Sequence, residues 1–286
     1  MITNLNCLPC FVRQAVEAVG FCVQDEAQRI DIIRQLLAEL AEADWNAPPV
    51  AIAQRLHRRI REATGVADPY RLLKERTNQL ALTLLPEMLL AAQRDEDPRQ
   101  AIVRLAVAGN LIDAGAKSGI AETDIREALG QANREPLHGS ASDLFAAAEH
   151  AQRILFLTDN AGEIVFDRPL IESLPTTKIT IAVRGEPILN DATMEDAQVA
   201  GLTDLTTVIA NGSDAPGTLL EDCSSEFRQA YDASDLIIAK GQGNYESLNH
   251  EAKHIFFLLR VKCPQVAALT GAPVGTMIVR EHRPDC

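Results

Sequence analysis

The chain has 286 residues, of which 47% are hydrophobic and only 4% are aromatic, and it carries a formal net charge of −13. A chain of this length folds as one large domain or two smaller ones, here with an aliphatic core. The negative charge argues against nucleic-acid binding through a basic face, since such binding depends on Lys and Arg neutralising phosphates.

The first residues lack the charged and apolar regions of a secretory leader, and no apolar stretch has the length of a membrane span. Six cysteines are too few for a disulfide scaffold in a chain of this length. We therefore expect a cytoplasmic protein without a membrane partner.

The apolar side chains before residue 151 recur at three- and four-residue steps, which is typical of helices. Asp-Pro pairs at Asp68 and Asp97 are typical of helix starts, because Asp caps the first turn and Pro is tolerated there. The predicted helices cover residues 10–22, 25–42, 48–63, 68 to beyond 89, and 97–117, and Thr123 and Ser142 are predicted to cap two shorter ones.

After Ala151 the pattern changes to short apolar runs that alternate with helix-like or loop segments. Such alternation predicts a mostly parallel sheet with helices on both faces. The fold class is therefore α/β, with an α-helical domain over residues 1–150 packed closely against a Rossmann-like three-layer α/β/α domain over residues 151–286. The predicted strands cover residues 153–158, 178–183, 205–210, 235–239, 265–269 and 276–279.

The most informative stretch runs from Thr158 to Asp167 and follows the first of these strands. Ligands bind beyond the carboxyl ends of the strands in an open α/β sheet. Asp159 and Asn160 at such an end offer the hard oxygen ligands that suit Mg²⁺ or Mn²⁺. The alternative is that Asp159 only caps the following helix.

Polar residues also follow the next three predicted strands. Arg184 could bind an anion, and Asn190 with Asp191 could complete a metal site, although Asn and Asp are also common in turns. The loop at 211–218 is rich in small residues, whose N–H groups can approach a phosphate closely. Lys240, followed by Gly241, is either a phosphate-binding residue or a surface lysine in a tight turn.

All these clusters share one edge of the sheet, and they combine acidic oxygens with cationic and N–H donors. Phosphoryl transfer needs that combination, because a divalent ion neutralises phosphate charge while donors stabilise the charge that develops. No nucleotide-binding P-loop motif is present. The combination of residues therefore predicts a site for phosphoryl transfer.

Two further motifs leave alternatives open. Asn110 and Asp113 lie three residues apart in an apolar helical context, so they either face the cleft or form hydrogen bonds across the domain interface. Cys7 and Cys10 form a single CxxC motif, which is compatible with a redox pair, half of a metal site, or burial at the start of a helix.

The chain resembles the damage-control phosphatase family, also called domain of unknown function 89, in its prokaryotic CxxC-containing branch. The resemblance covers nearly the whole length. Its motifs are Cys7–Cys10 with Arg13 and Gln14, Asp68–Tyr70 with Lys74, Arg76 and Asn78, Gly109–Asn110 with Asp113, and the segments 159–167, 190–193, 211–218 and 240–246.

This resemblance implies a divalent metal, such as Mn, Mg, Co or Ni, held by Asp159, Asn160 and Asp191, with Lys240 near the substrate phosphate. It also implies hydrolysis of small phosphorylated metabolites, such as sugar phosphates or phosphopantetheine-like compounds. Gln242 and Glu246 depart from the eukaryotic branch, which tends to carry an acid and an arginine at these positions, so the substrate cannot be transferred from it.

We expect a metal-dependent phosphomonoester hydrolase. The sequence does not decide whether a carboxylate or water attacks the phosphorus atom. It also leaves the oligomeric state open, and a homo-oligomer is one of the possible states. The alternatives are an S-adenosylmethionine-dependent carboxyl methyltransferase and a non-catalytic metal- or metabolite-binding protein. The expected catalytic residues are Asp159, Asp191 and Lys240, and the expected phosphate-binding residues are Asn110, Asp113, Arg184, Asn211, Ser213, Gly241 and Asn244.

Overall fold

The computed structural model describes residues 1–112, 122–132 and 134–283. None of the α-helices in these ranges combines the length and the apolar character that a membrane crossing requires. The helices are α1 (Leu8–Cys22), α2 (Glu26–Ala41), α3 (Pro49–Thr64), α4 (Arg71–Gln93), α5 (Pro98–Ala108), α6 (Glu122–Ala132), α7 (Ala141–His150), α8 (Glu163–Glu172), α9 (Met194–Val199), α10 (Ser225–Ala233), α11 (Gly241–Leu248) and α12 (Pro264–Thr270).

Side-chain capping explains where two of the early helices begin. Asp25 and Asp97 cap α2 and α5 by accepting hydrogen bonds from the N–H groups of Gln28 and Gln100. The predictions for α1, α2 and α3 are confirmed within two residues at each end.

Three predicted helix starts are wrong. Thr123 does not cap α6, because it lies inside that helix, which already includes Glu122. Asp68 does not cap α4, because it closes a turn on the N–H of Tyr70 and pairs with Lys74 at 2.8 Å, so the helix begins only at Arg71. Ser140 rather than Ser142 caps α7. The predicted helix over 97–117 ends at Ala108, and its last part lies outside the described residues.

A seven-stranded sheet lies between the helices and has the strand order β1-β7-β6-β5-β2-β3-β4. All neighbouring strands are parallel except β6 and β7, which are antiparallel. The predicted α/β class with a mostly parallel sheet is confirmed. The strands are β1 (Leu137–His138), β2 (Ile154–Leu157), β3 (Ile179–Val183), β4 (Thr207–Ala210), β5 (Leu236–Lys240), β6 (Ile255–Arg260) and β7 (Met277–His282).

The last strands differ from the sequence prediction. The segment 265–269 lies in α12, which begins where the Cys263 sulfur accepts a hydrogen bond from the N–H of Val266 and Pro264 takes the first position. The apolar run 255–259, with Arg260, forms the internal strand β6, for which no strand was predicted. The short strand β1 was also not predicted, because two residues give no periodic signal.

The hydrophobic interior falls into separate clusters. Helices α1 to α3 pack around a cluster of their own that includes Tyr70, and Leu189 from the loop after β3 packs against it. A second cluster extends from α4 and α5 through the sheet and contains Leu84 and Phe156, so it crosses the division expected near Ala151. That division stays a prediction.

Candidate active site

The loops after β2 and β3 meet beyond the carboxyl edge of the sheet. Asn160 and Asp191 form an isolated antiparallel bridge, and backbone bonds of 2.8 Å join Ala161 N–H to the Asn190 carbonyl and Ala192 N–H to the Asp159 carbonyl. The structure thus brings together the three residues predicted to hold a metal. We call Asp159, Asn160 and Asp191 the oxygen cluster.

Leu189 sets the direction of the second loop. Its φ of 46° makes it the one described residue other than glycine with a left-handed backbone, a conformation that costs free energy and occurs preferentially at functional sites. Because its side chain packs against the α1–α3 cluster, the helical bundle holds this loop in place. The N-terminal helices therefore help to position Asp191.

The oxygen cluster is almost inaccessible: Asp159, Asn160 and Asp191 have exposed fractions of 6%, 7% and 3%. Burial, together with the neighbouring carboxylates of Glu163 and Asp191, raises the pKa of Asp159 to about 8. The site therefore concentrates negative charge that only a cation or a proton can neutralise.

The Asn160 amide is fixed on both sides. Its nitrogen donates to Oδ2 of Asp159 at 2.6 Å and to Oε2 of Glu163 at 3.1 Å, and its oxygen accepts from Nδ2 of Asn190 at 3.0 Å. A carbonyl oxygen has two lone pairs, so Oδ1 of Asn160 keeps one acceptor position. Asn110 joins the same network by donating to Oε2 of Glu163 at 2.9 Å, while Asp113 lies outside the described residues.

Arg184 supplies a positive charge directly beside the oxygen cluster. Its Nε donates to Oδ2 of Asp191 at 2.7 Å, and Nη1 donates to Oδ1 of Asn244 at 3.3 Å. The side chain is 3% exposed, and among the described residues Nη2 has no hydrogen-bond partner. A buried guanidinium N–H without a partner is costly, so this donor is suited to an anionic ligand.

Lys240 does not extend toward open space. Its ammonium group is completely buried and donates to Oε1 of Glu163 at 2.6 Å, to Oδ1 of Asp167 at 2.5 Å and to the Ala106 carbonyl at 2.9 Å. All three N–H donors of the ammonium are thus used within the protein. We call Lys240, Glu163 and Asp167 the buried triad.

The charges of the buried triad depend on each other. Burial raises the pKa of Asp167 to about 7, against the effect of Lys240. Burial also opposes ionisation of Glu163, but the Lys240 ammonium and several hydrogen bonds hold the pKa of Glu163 below its usual range. Because Glu163 bonds to Asn160, the triad fixes the oxygen cluster from behind. Glu163 and Asp167 were assigned no role from the sequence, although their i, i+4 spacing places them on one helix face.

Gly241 lies in contact with Asp159. It has a φ of 80°, and a Cβ atom added to it would stand only 2.0 Å from Oδ2 of Asp159. We expect Gly241→Ala to displace that carboxylate and to lower turnover about a hundredfold, since misplacements of about 1 Å have such effects. Steady-state kinetics on the folded variant measures this loss.

Gly271 provides the matched control, because its φ is 71° and nothing lies within 4 Å of an added Cβ. At either position, a residue with a Cβ atom is strained by about 1–2 kcal/mol, because the backbone is in the left-handed conformation. Gly271→Ala should therefore lose a similar amount of stability while keeping its activity. Equal activity in the two variants would contradict the contact between Gly241 and Asp159.

The loop after β4 is held by protein contacts. Oδ1 of Asn211 accepts from the N–H groups of Gly185 and Ser213 at 2.8 and 2.9 Å. The Ser213 hydroxyl donates to Asp222 at 2.6 Å, and Asp214 forms ion pairs with Arg58 and Arg61 of α3. Asn211 and Ser213 thus fix the conformation of the loop, and Asp214 joins the loop to α3. The phosphate-binding role of Asn211 and Ser213 stays a prediction.

Asn244 is also engaged from several sides. Its Nδ2 donates to the carbonyls of Thr158 and Lys240 at 3.1 and 2.8 Å, and its Oδ1 accepts from Thr218 and from Arg184. The residue therefore ties α11 to β2 and orients Arg184. A direct contact with phosphate stays a prediction.

Cys7 and Cys10 are free thiols in the structure. The Cys7 thiol donates to Oε1 of Gln265 at 3.5 Å, and burial raises its pKa. Across the described ranges, no group of three or more His, Cys, Asp or Glu side chains is arranged to hold a metal ion. The oxygen cluster, with two carboxylates and one amide, falls below that number.

Comparisons with known proteins identify relatives over the whole chain. The profile of the damage-control phosphatase ARMT1-like domain matches residues 3–278. An uncharacterized protein of Methanocaldococcus jannaschii is 34% identical over 96% of this chain and 93% of its own length, and a damage-control phosphatase of Archaeoglobus fulgidus is 33% identical over 96% and 97%. The crystal structure of a DUF89 family protein from Pyrococcus horikoshii has 31% identity and a TM-score of 0.90, covering 99% of this chain and 100% of that one.

Proposed function

The chain belongs to the damage-control phosphatase ARMT1-like family, and from that membership we propose that it is a metal-dependent phosphatase of small phosphorylated metabolites. One observation carries the proposal: a buried, unpartnered N–H of Arg184 stands beside the buried oxygens of Asp159, Asn160 and Asp191. A hydrogen-bond donor for an anion and a set of oxygen ligands for a cation thus lie side by side.

The oxygen cluster fits a divalent metal ion by its chemistry. Two carboxylates and one amide oxygen are hard ligands, which favour Mg²⁺ or Mn²⁺ over softer metals. The raised pKa of Asp159, which results from burial and from nearby carboxylates, indicates unbalanced negative charge. Asp159, Asn160 and Asp191 would hold the ion, which when bound polarises the phosphoryl group and promotes attack by water.

The surrounding side chains would orient the substrate. Arg184 would donate from Nη2 to a phosphoryl oxygen, and its bond to Asp191 keeps the guanidinium in position. Asn110 and the buried triad would act as positioning residues, since they reach the cluster through Glu163 and Asn160. Lys240 would therefore support catalysis by fixing Glu163 rather than by touching the phosphate.

The reaction is hydrolysis of a phosphate monoester. A bond forms between phosphorus and an attacking oxygen, the ester P–O bond breaks, and a proton passes to the leaving alcohol. Preorganised donors around the phosphoryl group lower the barrier because they need no rearrangement when charge develops. The near-complete burial of the cluster excludes bulk water, which strengthens these interactions.

Metal removal tests this proposal. We expect the protein to lose phosphate release from small phosphate esters after chelation, and to regain it when Mg²⁺, Mn²⁺, Co²⁺ or Ni²⁺ is added back. A panel of sugar phosphates and other monoesters, assayed for inorganic phosphate, measures this directly. Phosphate release that is unaffected by chelation, or no release with any ion from folded protein, would contradict a metal-dependent phosphatase.

A further inference from the structure

Lys262 lies at the same edge of the sheet as the oxygen cluster. Lys262 follows β6 by two residues, and β6 runs parallel to β5 with Leu258 opposite Lys240. The N–H of Lys262 donates to Oε1 of Gln242 at 3.0 Å, which ties it to the first turn of α11. Lys262 is therefore held beside Gly241, on which the Asp159 carboxylate rests.

Lys262 differs from the other cations of this region in its surroundings. Arg184 and Lys240 are buried and paired with Asp191 and with the acids of the buried triad. The side chain of Lys262 is exposed. The charge of Glu246 interacts with it, but no carboxylate in the described ranges forms an ion pair with it. In a chain with a net charge of −13, an exposed lysine that forms no ion pair in the described ranges would attract an anion.

The strand order places Lys262 and Arg184 on opposite sides of Asp159. Along the sheet, Lys262 follows β6, Asp159 follows β2 and Arg184 follows β3, and β5 lies between β6 and β2. With strands about 4.8 Å apart, the ends of β6 and β3 are separated by about 14 Å, and two long side chains shorten that gap. Lys262 and Arg184 therefore flank Asp159 along this edge of the sheet.

We propose that Lys262 binds a second anionic group of the substrate. The inference rests on the proposed phosphatase function, in which Arg184 and the oxygen cluster take the reacting phosphoryl group. The remainder of a small ester then extends toward the exposed rim, where Lys262 stands. The preferred substrates are accordingly phosphate monoesters that carry a further carboxylate or phosphate.

Two non-hydrolysable phosphonates that differ by one carboxylate test this assignment. We expect calorimetry on the metal-loaded protein to give about tenfold tighter binding of 3-phosphonopropionate than of propylphosphonate, as expected for one charge-assisted contact. Lys262→Ala should reduce this ratio to about one while it changes propylphosphonate affinity less than about threefold. Lys262→Arg should retain most of the preference.

Lys253 supplies the matched control at the opposite end of β6. Its ammonium donates to the carbonyls of Asp232 and Ser234, so Lys253→Ala removes the same charge far from the site and should keep the wild-type ratio. No preference in the wild type, or a preference that survives Lys262→Ala, would overturn the inference. An equal loss of both ligands in Lys262→Ala would also overturn it, because Lys262 would then contact the phosphoryl group.

The same proteins separate this inference from the proposed function. Phosphate release from 3-phosphoglycerate and glycerol 3-phosphate is measured in parallel, and Lys262→Ala should raise KM about tenfold for the first ester alone, with kcat little changed. Lys262-dependent binding of the phosphonates without turnover of any ester would support the inference and contradict the phosphatase. Turnover of the esters without the Lys262-dependent preference would support the phosphatase and contradict the inference.

Discussion

Replacing Asp159 with asparagine is expected to lower metal-dependent phosphate release about a thousandfold or more. The substitution keeps the shape of the side chain but removes the charge of a proposed metal ligand, and loss of such a ligand also removes the ion's contribution to the reaction. Because burial disfavours the charged form of Asp159, the neutral amide should leave stability unchanged or raise it. Steady-state kinetics and thermal melting of the same preparation measure both effects.

An equivalent substitution on the surface controls for the change of residue type. Asp31 is exposed and pairs only with Arg34 among the contacts of the described residues, so Asp31→Asn should keep full activity. Full activity in Asp159→Asn would exclude Asp159 from the reaction. A loss of activity accompanied by unfolding would contradict the expectation that the charge of Asp159 serves function rather than stability.

Replacing Lys240 with methionine is expected to destabilise the protein by about 3–5 kcal/mol, because removal of one partner leaves uncompensated buried carboxylates. Glu163 and Asp167 are 2% and 0% exposed, so water cannot take over the role of the ammonium group. For a chain of this size such a loss corresponds to a fall in Tm of about 10 °C. Denaturant titration and calorimetry measure it.

A triple variant in which all three residues of the buried triad are uncharged is the control for Lys240→Met. Adding Glu163→Gln and Asp167→Asn to Lys240→Met removes the stranded charges and should recover part of the lost stability. The triple variant should nevertheless stay impaired in turnover, because Asn160 loses the ionised partner that orients it. A Lys240→Met protein that melts within about 1 °C of the wild type would contradict the assignment of Lys240 to an interior ion network.

The first four strands after Ala151 could be predicted because each is an apolar run that ends in a polar turn. That signal failed at the end of the chain, where two apolar runs follow each other closely. The apolar pattern predicts a strand over residues 265–269, although Cys263 and Pro264 form the start of a helix. The strand at this place is Ile255–Arg260, and its apolar run of five residues, 255–259, fits an internal strand as well as a buried helix.

The oxygen cluster could be predicted in part for a topological reason. Asp159, Asn160 and Asp191 follow neighbouring parallel strands, and the ends of such strands meet at one edge. Side-chain contacts between segments that are distant in the sequence could not be predicted in this way. The burial of Lys240 against Glu163 and Asp167, and the position of Lys262 beside Gln242, depend on how β5, α8 and β6 pack, which residue spacing does not encode.

The helical N-terminal part contributes more than a cover for the sheet. Arg58 and Arg61 pair with Asp214, and Leu189 packs into the α1–α3 cluster, so α3 holds the loops after β3 and β4. The loop after β3 carries Asp191, and its Ala192 carbonyl accepts a hydrogen bond from the N–H of Arg184. In the loop after β4, Asn211 accepts a hydrogen bond from the N–H of the next residue, Gly185. The proposed active site thus depends on both parts of the chain.

The most direct test of the central claim is anomalous diffraction at the manganese edge from crystals grown with Mn²⁺ and inorganic phosphate. We expect one strong anomalous peak bound by oxygens of Asp159, Asn160 and Asp191, with a phosphate oxygen accepting a hydrogen bond from Nη2 of Arg184. A manganese peak at any other group of residues, or an oxygen cluster that stays without metal at saturating Mn²⁺, would contradict the proposed site.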